Sequence, residues 1–145
     1  MGNGSGNGAA IRVLVADSTR MGTQLILEAL RQDIRFTAVG VLAAPDEIAT
    51  HVSDFRPNVV VIGVRPNGNA RADFDLLWHK QVRAANIHAV MLIEASTHDL
   101  VVNAFRAGAR GVICRDEGLE ALRKCIYAVH AGQIWANSSQ CTNWT

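Results

Sequence analysis

The chain alternates short apolar runs with longer stretches whose apolar residues recur at helical spacing, and this alternation constrains the fold more than any other feature. A short run that is apolar at nearly every position is typical of a strand buried on both faces of a parallel sheet. Strands that alternate with helices predict one parallel sheet, doubly wound, with helices on both faces. The predicted strands are residues 11–16, 36–41, 58–62, 88–93 and 111–114.

The stretches between the runs predict five helices. Asp17 or Ser18 is expected to cap the first helix, Pro45 to open the second, and Gly108 to close the fourth. The predicted helices cover residues 20–32, residues 45 to just before 57, and residues 72–85, 99–107 and 117–131. The inward stripe of the first is expected to hold Gly22, Ile26, Ala29 and Leu30, and that of the last Leu119, Leu122, Ile126 and Val129.

Length and composition favour one folded domain. The chain has 145 residues, of which 49% are hydrophobic and 19% charged, enough apolar surface for a sizeable core. We expect a flexible lead over residues 1–10, a domain over 11–132, and a tail or the start of a linker over 133–145. The net charge of +1 argues against direct nucleic-acid contact by this segment, and no apolar run is long enough to span a membrane.

Cysteine usage indicates the compartment. Cys114, Cys125 and Cys141 are odd in number and form no CxxC pair, so a disulfide framework is not expected. Cys114 and Cys125 are predicted to be buried small hydrophobes. A reduced, cytoplasmic setting fits this pattern best.

The candidate site lies at one edge of the predicted sheet. Ligands of open parallel sheets bind beyond the carboxyl ends of the strands. The residues at those ends are Asp17 and Ser18, residues 63–65, residues 94–97, and Arg115 with Asp116.

Three stretches carry a family resemblance: RVLVAD over 12–17, RPNVVVI over 56–62 and, most diagnostic, AFRAGARG over 104–111. With them, the chain resembles over about residues 11–135 a response-regulator receiver domain of two-component signalling, of the subfamily that carries a LuxR-type helix-turn-helix. The resemblance implies a flavodoxin-like α/β fold with strand order 2-1-3-4-5.

The resemblance also implies a chemistry that this chain lacks in part. The family uses two acidic residues to hold magnesium, an aspartate to accept a phosphoryl group, a hydroxyl residue to sense it, and a lysine. Here Asp17 remains of the acidic pair, Ser18 takes the second place, and Gly63 takes the place of the acceptor. Glu94, or Ile93 under another alignment, stands at the switch position, and Arg115 stands at that of the lysine. Because glycine has no nucleophile, we expect no phosphorylation at Gly63 and weak or no Mg²⁺ binding.

Without a bound phosphoryl group, another interaction must set the equilibrium between the two loop arrangements of the site. We hypothesise that Arg115 pairs with Asp17 or Glu94, contributing on the order of 0–1 kcal/mol if partly exposed. A substitute acceptor is not expected, because Asp73, Asp75 and Asp116 lie away from the end of the third strand. Trp135 is expected either to pack on the last helix or to anchor a partner.

The sequence therefore favours a degenerate receiver, a regulatory module that is not an enzyme, binds no cofactor and acts through protein contacts. The resemblance implies a homodimer through the first and last helices and a possible downstream DNA-binding domain. Two alternatives stay open: a receiver that uses an unusual phosphoacceptor, and a flavodoxin-like domain that binds a small ligand. The candidate dimer residues are Gln24, Arg31, Arg123, Lys124 and Tyr127.

Overall fold

The computed structural model describes residues 10–41, 45–63, 87–94 and 98–136. The predicted helix over 72–85 and most of the loop before it lie outside these residues. The described strands are β1 (Ile11–Ala16), β2 (Phe36–Gly40), β3 (Val59–Gly63), β4 (His88–Ile93) and β5 (Gly111–Cys114), and the described helices are α1 (Arg20–Arg31), α2 (Pro45–Phe55), α3 (His98–Arg106) and α4 (Gly118–His130).

The strands form one parallel sheet in the order β2-β1-β3-β4-β5. This order confirms the doubly wound fold expected from the sequence. Ala16 is in register with Ile62, and Gly63 with Leu92. The register brings the carboxyl ends of β1, β3 and β4 to one edge of the sheet.

Two apolar clusters cover the two faces of the sheet. On one face Ile48 of α2 and Val101 of α3 pack with strand residues such as Met91. On the other face Ile26 of α1 and Ile126 of α4 pack with residues such as Val61. Every residue of β3 is buried, because the central strand is covered on both faces.

Element ends differ from the prediction by a residue or two. β3 extends to Gly63, so this glycine is the last strand residue and not the first of a loop. A 3-10 turn over Arg115–Glu117 precedes α4, which therefore begins at Gly118. Leu119 is 40% exposed and not inward as predicted, because the first turn of this helix lies beyond the end of β5. Cys125 takes a buried position on the same helix.

The chain returns to the sheet after α4. Gly132 has a φ of 97°, a left-handed conformation that glycine adopts without strain and that ends many helices. The backbone N–H of Trp135 then donates to the carbonyl of Arg110 at 3.0 Å, and that of Val112 donates to the carbonyl of Trp135 at 3.0 Å. These bonds pair the segment with the free edge of β5, and the Trp135 ring packs against the cluster that contains α1 and α4.

Candidate functional site

The carboxyl edge of the sheet brings together Asp17, Gly63, Glu94 and Arg115. Asp17 follows β1, Gly63 ends β3, Glu94 follows β4 and Arg115 follows β5. The structure thus places four of the five sequence-predicted site residues in direct or near contact, as the following distances show.

Asp17 is the buried centre of this site. Its side chain is 1% exposed. Oδ1 lies 2.5 Å from Nη2 of Arg115, while Oδ2 accepts from the Thr19 hydroxyl at 3.0 Å and from the Thr19 backbone N–H at 3.3 Å. Both carboxylate oxygens are therefore engaged by donors of the chain itself.

Two glycines flank this carboxylate. A Cβ built on Gly63 would lie 1.8 Å from Oδ1 of Asp17, and a Cβ built on Gly22 would lie 1.9 Å from Oδ2. Both distances are far inside van der Waals contact. The carboxylate of Asp17 thus fills the space into which a side chain at position 63 would grow, and it fits only because residues 22 and 63 both lack a Cβ.

Arg115 joins the two acids of the site. Its Nε lies 3.1 Å from Oε1 of Glu94, an ion-pair distance at which the N–H is not aligned for a hydrogen bond. The hypothesis that Arg115 pairs with Asp17 or Glu94 is confirmed, and the guanidinium contacts both. The two contacts differ in burial, because the Glu94 side chain is 44% exposed. The pair with Asp17 is thus shielded from water, whereas that with Glu94 is partly screened.

The cap of α1 corrects the sequence prediction. Thr19 is the N-cap, with extended backbone angles and a hydroxyl that accepts from the Gly22 N–H at 2.9 Å. Neither Asp17 nor Ser18 caps the helix, because the Asp17 carboxylate turns toward Arg115 and Thr19. The Ser18 hydroxyl is buried with no hydrogen-bond partner.

A magnesium ion does not fit the residues of this edge. Mg²⁺ needs one or two free carboxylates and nearly ideal octahedral oxygen geometry. Ser18 and Gly63 supply no carboxylate, and a guanidinium occupies Oδ1 of Asp17. Among the described ranges, no group of three metal-ligating side chains occurs.

The two cysteines of the described chain are buried and free, as predicted. Burial raises the pKa of the Cys125 thiol well above its ordinary value, and it also raises the pKa of the Cys114 thiol. The Cys114 thiol donates to the carbonyl of Glu94 at 3.1 Å, and its backbone N–H donates to Oε2 of Glu117 at 2.9 Å. The Cys114 thiol thus helps to hold the backbone of Glu94 in place.

Sequence reasoning missed two supporting residues. Gly22 was assigned only to the apolar stripe of α1, although the structure places it against Asp17. Thr19 was not singled out, although its hydroxyl contacts Asp17 and caps the helix. The sequence did offer one sign of this cap: Thr19 is a favoured N-cap residue and stands three residues before Gly22 at the predicted helix start.

Comparison with known proteins gives a match at the level of fold. No family model matches the chain, and no curated protein is similar in sequence. A LuxR-family two-component response regulator from Aurantimonas sp. SI85-9A1 is 16% identical, with a TM-score of 0.79 over 92% of this chain and 94% of that one. The isolated REC domain of RcsB from Salmonella enterica serovar Typhimurium, in the presence of the phosphomimetic BeF3-, is 14% identical, with a TM-score of 0.76 over 92% and 98%.

A further structure contains two RcsB dimers bound to two parallel DNAs. It is 14% identical to this chain, with a TM-score of 0.77 over 92% of this chain and 66% of that one. The fold of this chain is therefore that of response-regulator receiver domains, and its structural neighbours include LuxR-family members. Among the described residues no helix has both the length and the apolar character to cross a membrane.

Proposed function

We propose that the chain is a receiver-like regulatory domain of a transcription regulator, one that works without phosphoryl transfer at the end of β3. The observation that carries this proposal is the Asp17 carboxylate, which lies where the acceptor side chain would begin and is held there by Arg115. The family resemblance of the three sequence stretches and the receiver fold both support it. A DNA-binding domain in the full-length regulator and a cytoplasmic location are part of the proposal.

The internal ion pair replaces the phosphate contacts of an ordinary switch. A receiver is bistable because a bound phosphoryl group biases two loop arrangements. Here Arg115 is held by Asp17 and Glu94, so the site is already in one charged, bridged arrangement. Signalling would then depend on binding a partner or a second copy of the chain, not on covalent modification at this edge.

The outer faces of α1 and α4 are the proposed dimer surface. Met21 is 72% exposed and Leu25 56%, both on α1, while Tyr127 on α4 is 48% exposed. Nη1 of Arg123 donates to the Ala29 carbonyl at 3.3 Å, which ties the two helices side by side. Of the five dimer residues proposed from the sequence, Arg123 is half-buried. The other four are exposed: Gln24, Arg31, Lys124 and Tyr127. Large apolar side chains exposed on two helices that pack side by side favour a self-contact at this surface.

Treatment with acetyl phosphate and Mg²⁺ tests the loss of phosphoryl transfer. Intact-mass spectrometry of the chain is expected to find no phosphoryl adduct, and beryllofluoride with Mg²⁺ is expected to leave its amide NMR spectrum unchanged. A receiver with an intact acceptor serves as the positive control. An adduct on any aspartate of this chain would favour the alternative of an unusual acceptor.

Sedimentation of the chain and its variants tests the dimer. Leu25→Glu places a charge within the exposed patch of α1 and is expected to lower the dimerisation constant by about tenfold or more. Ser53→Glu on α2, an exposed position on the other side of the sheet, is the matched control. A dimer weakened equally by both changes, or a chain that stays monomeric, would refute the α1–α4 surface.

A further inference from the structure

The opposite edge of the sheet, where the strands begin, carries a row of basic residues. Arg12 in β1 donates through Nε to the carbonyl of Arg56 at 2.7 Å. The backbone of Asn58 accepts from the His88 N–H at 3.1 Å, and the Arg110 N–H donates to the Ala89 carbonyl at 2.8 Å. These bonds link the entrances of neighbouring strands, so the basic side chains follow one another along this edge.

The charges of this edge are not neutralised within the described chain. No carboxylate of the described residues forms an ion pair with Arg12, Arg56, Arg106 or Arg110. Three of the other five described arginines form ion pairs: Arg35 with Asp33, Arg115 with Asp17 and Glu94, and Arg123 with Glu120. Asp54, in the last turn of α2, is an acid on this side of the molecule and is exposed.

At one end of the row Arg106 and Arg110, both exposed, border an apolar groove. The groove has a volume of about 670 Å³ and lies between the end of α3 and the segment that follows α4. Its apolar lining comes from Val102, Phe105, Ala109 and Ile134, and its polar lining from Arg106 and Arg110. A concave apolar surface with a few charged groups at its margin is the usual form of a binding site.

The groove is built by backbone bonds and so exists before any partner binds. Ile134 is 66% exposed, yet it is fixed at the groove because Trp135 pairs with the edge of β5. Gly108 has a φ of 113°, which ends α3 and turns the chain so that Arg106 and Arg110 line the same groove. The backbone of the groove therefore needs little ordering on binding, and the remaining ordering cost is that of the exposed Arg106 and Arg110 side chains.

We propose that this groove binds an acidic segment of a partner protein, whose apolar side chain lies on Phe105 and Ile134 while its carboxylates contact Arg106 and Arg110. Carboxylates pair with guanidinium groups in bidentate geometry. A nucleic-acid backbone would use the arginines and leave the apolar lining without a partner, so a protein segment accounts for more of the surface. This inference goes beyond the proposed function and uses none of the residues of the carboxyl edge.

Selection from a phage-displayed library of random peptides, with the full chain as bait, tests this binding site. The expected binders are rich in Asp and Glu and contain at least one large apolar residue. Amide NMR shifts on titration of a selected peptide are expected at Phe105, Ala109 and Ile134. Selection of basic or neutral peptides, or no selection above background, would overturn the proposal.

Paired variants separate the two contributions. Arg106→Glu combined with Arg110→Glu is expected to weaken the selected peptides by about a hundredfold, because two attractions become repulsions. Ile134→Ser is expected to weaken them by about tenfold, since one buried aliphatic contact is lost. The control is Thr37→Glu with Ser53→Glu, two exposed positions on β2 and α2 that line neither the groove nor the proposed dimer surface. This variant adds two negative charges elsewhere on the chain and is expected to leave binding within about twofold.

The outcomes also distinguish partner classes. If a mixed-sequence DNA duplex binds tighter than the peptides, and loses affinity in the Arg106→Glu, Arg110→Glu variant, the edge is a nucleic-acid surface and the proposal is wrong. If peptides bind but the control variant weakens them equally, the site is elsewhere and the proposal is also wrong. Neither result bears on phosphoryl transfer or on the dimer, which the experiments above measure separately.

Discussion

The two edges of the sheet differ in how their charged side chains are paired and exposed. At the carboxyl edge the Asp17 side chain is 1% exposed and is paired with Arg115, so the charge of this carboxylate is shielded from water. At the amino edge Arg106 and Arg110 are exposed and have no carboxylate partner among the described residues. In this fold ligands usually bind at the carboxyl edge. The difference is that the chain's own Arg115 contacts the Asp17 carboxylate at the first edge, whereas Arg106 and Arg110 at the opposite edge are exposed to solvent.

The largest expected effect on stability is at the carboxyl edge of the sheet. Arg115→Met leaves a buried carboxylate without its cation and is expected to lower the free energy of unfolding by about 3–5 kcal/mol. Denaturant unfolding monitored by circular dichroism measures it. The matched change at the amino edge is Arg110→Met, which removes an exposed charge and is expected to cost less than about 0.5 kcal/mol.

Glu94→Gln gives a control within the same site. The Glu94 carboxylate is partly exposed, and its contact with Arg115 is poorly aligned. The free energy of unfolding is therefore expected to fall by only about 0–1 kcal/mol. If Arg115→Met and Arg110→Met destabilise the chain equally, the contrast between the two edges is wrong.

The second prediction concerns the glycines that end β2 and β3, the strands on either side of β1. Gly63→Ala places a methyl group on the Asp17 carboxylate and is expected to cost about 1–3 kcal/mol from overpacking. Gly40→Ala is the matched control, because its Cβ would meet Thr23 Cγ2 at 2.7 Å and Leu27 Cδ1 at 2.9 Å, the ends of side chains that can rotate away. A smaller loss is expected there, and a larger loss at Gly40 would contradict the crowding of Asp17.

The smallest expected effect is a change in the pKa of His88, which lies at the amino edge of the sheet. The pKa of His88 is lowered by burial first, and then by the positive charges of Arg110 and His130. Arg110→Gln removes one of these charges, so NMR titration of the imidazole is expected to find the pKa of His88 raised toward its ordinary value. Arg31→Gln, on the outer face of α1, is the control and is expected to leave the pKa of His88 unchanged. An unchanged pKa in Arg110→Gln would mean that the arginine does not face this edge.

The sign of the accompanying stability change follows from that shift. Because the folded-state pKa of His88 lies below its unfolded value, the neutral imidazole favours the folded state. The contribution of His88 to the free energy of unfolding is complete above the pKa of the unfolded state, and it is lost as the pH falls through the lower pKa of the folded state. Arg110→Gln is expected to reduce this acid-side loss.

The sheet was predictable because its strands are apolar at nearly every position, as in β3, where all five residues are buried. The pairing of Arg115 with an acid of this edge was predictable because parallel strands bring their carboxyl ends together, but the sequence left open whether Asp17 or Glu94 is the partner, and the structure shows both. The crowding of Asp17 by Gly22 was not, because a contact between the first turn of a helix and the preceding loop leaves no periodic signal. The exposure of Leu119 was missed for a related reason: helical spacing marks a stripe but not where the sheet beneath it ends.

The basic edge shows the same limit. A net charge of +1 describes the whole chain and says nothing of how its charges are arranged. Only the fold gathers residues from the starts of several strands into one row. The return of Trp135 to β5, which fixes Ile134 beside the groove, depends on backbone bonds between distant segments and has no signature in the tail sequence.

A double-mutant cycle between Asp17→Ala and Gly63→Ala tests the central claim most directly. If the aspartate fills the space left by the missing side chain, each single change destabilises the chain, while the methyl group at position 63 fits once the carboxylate is gone. The predicted result is a double variant more stable than additivity allows, by about 1 kcal/mol or more, measured by denaturant unfolding. Additive losses would contradict the account, because the two residues would then not compete for one space.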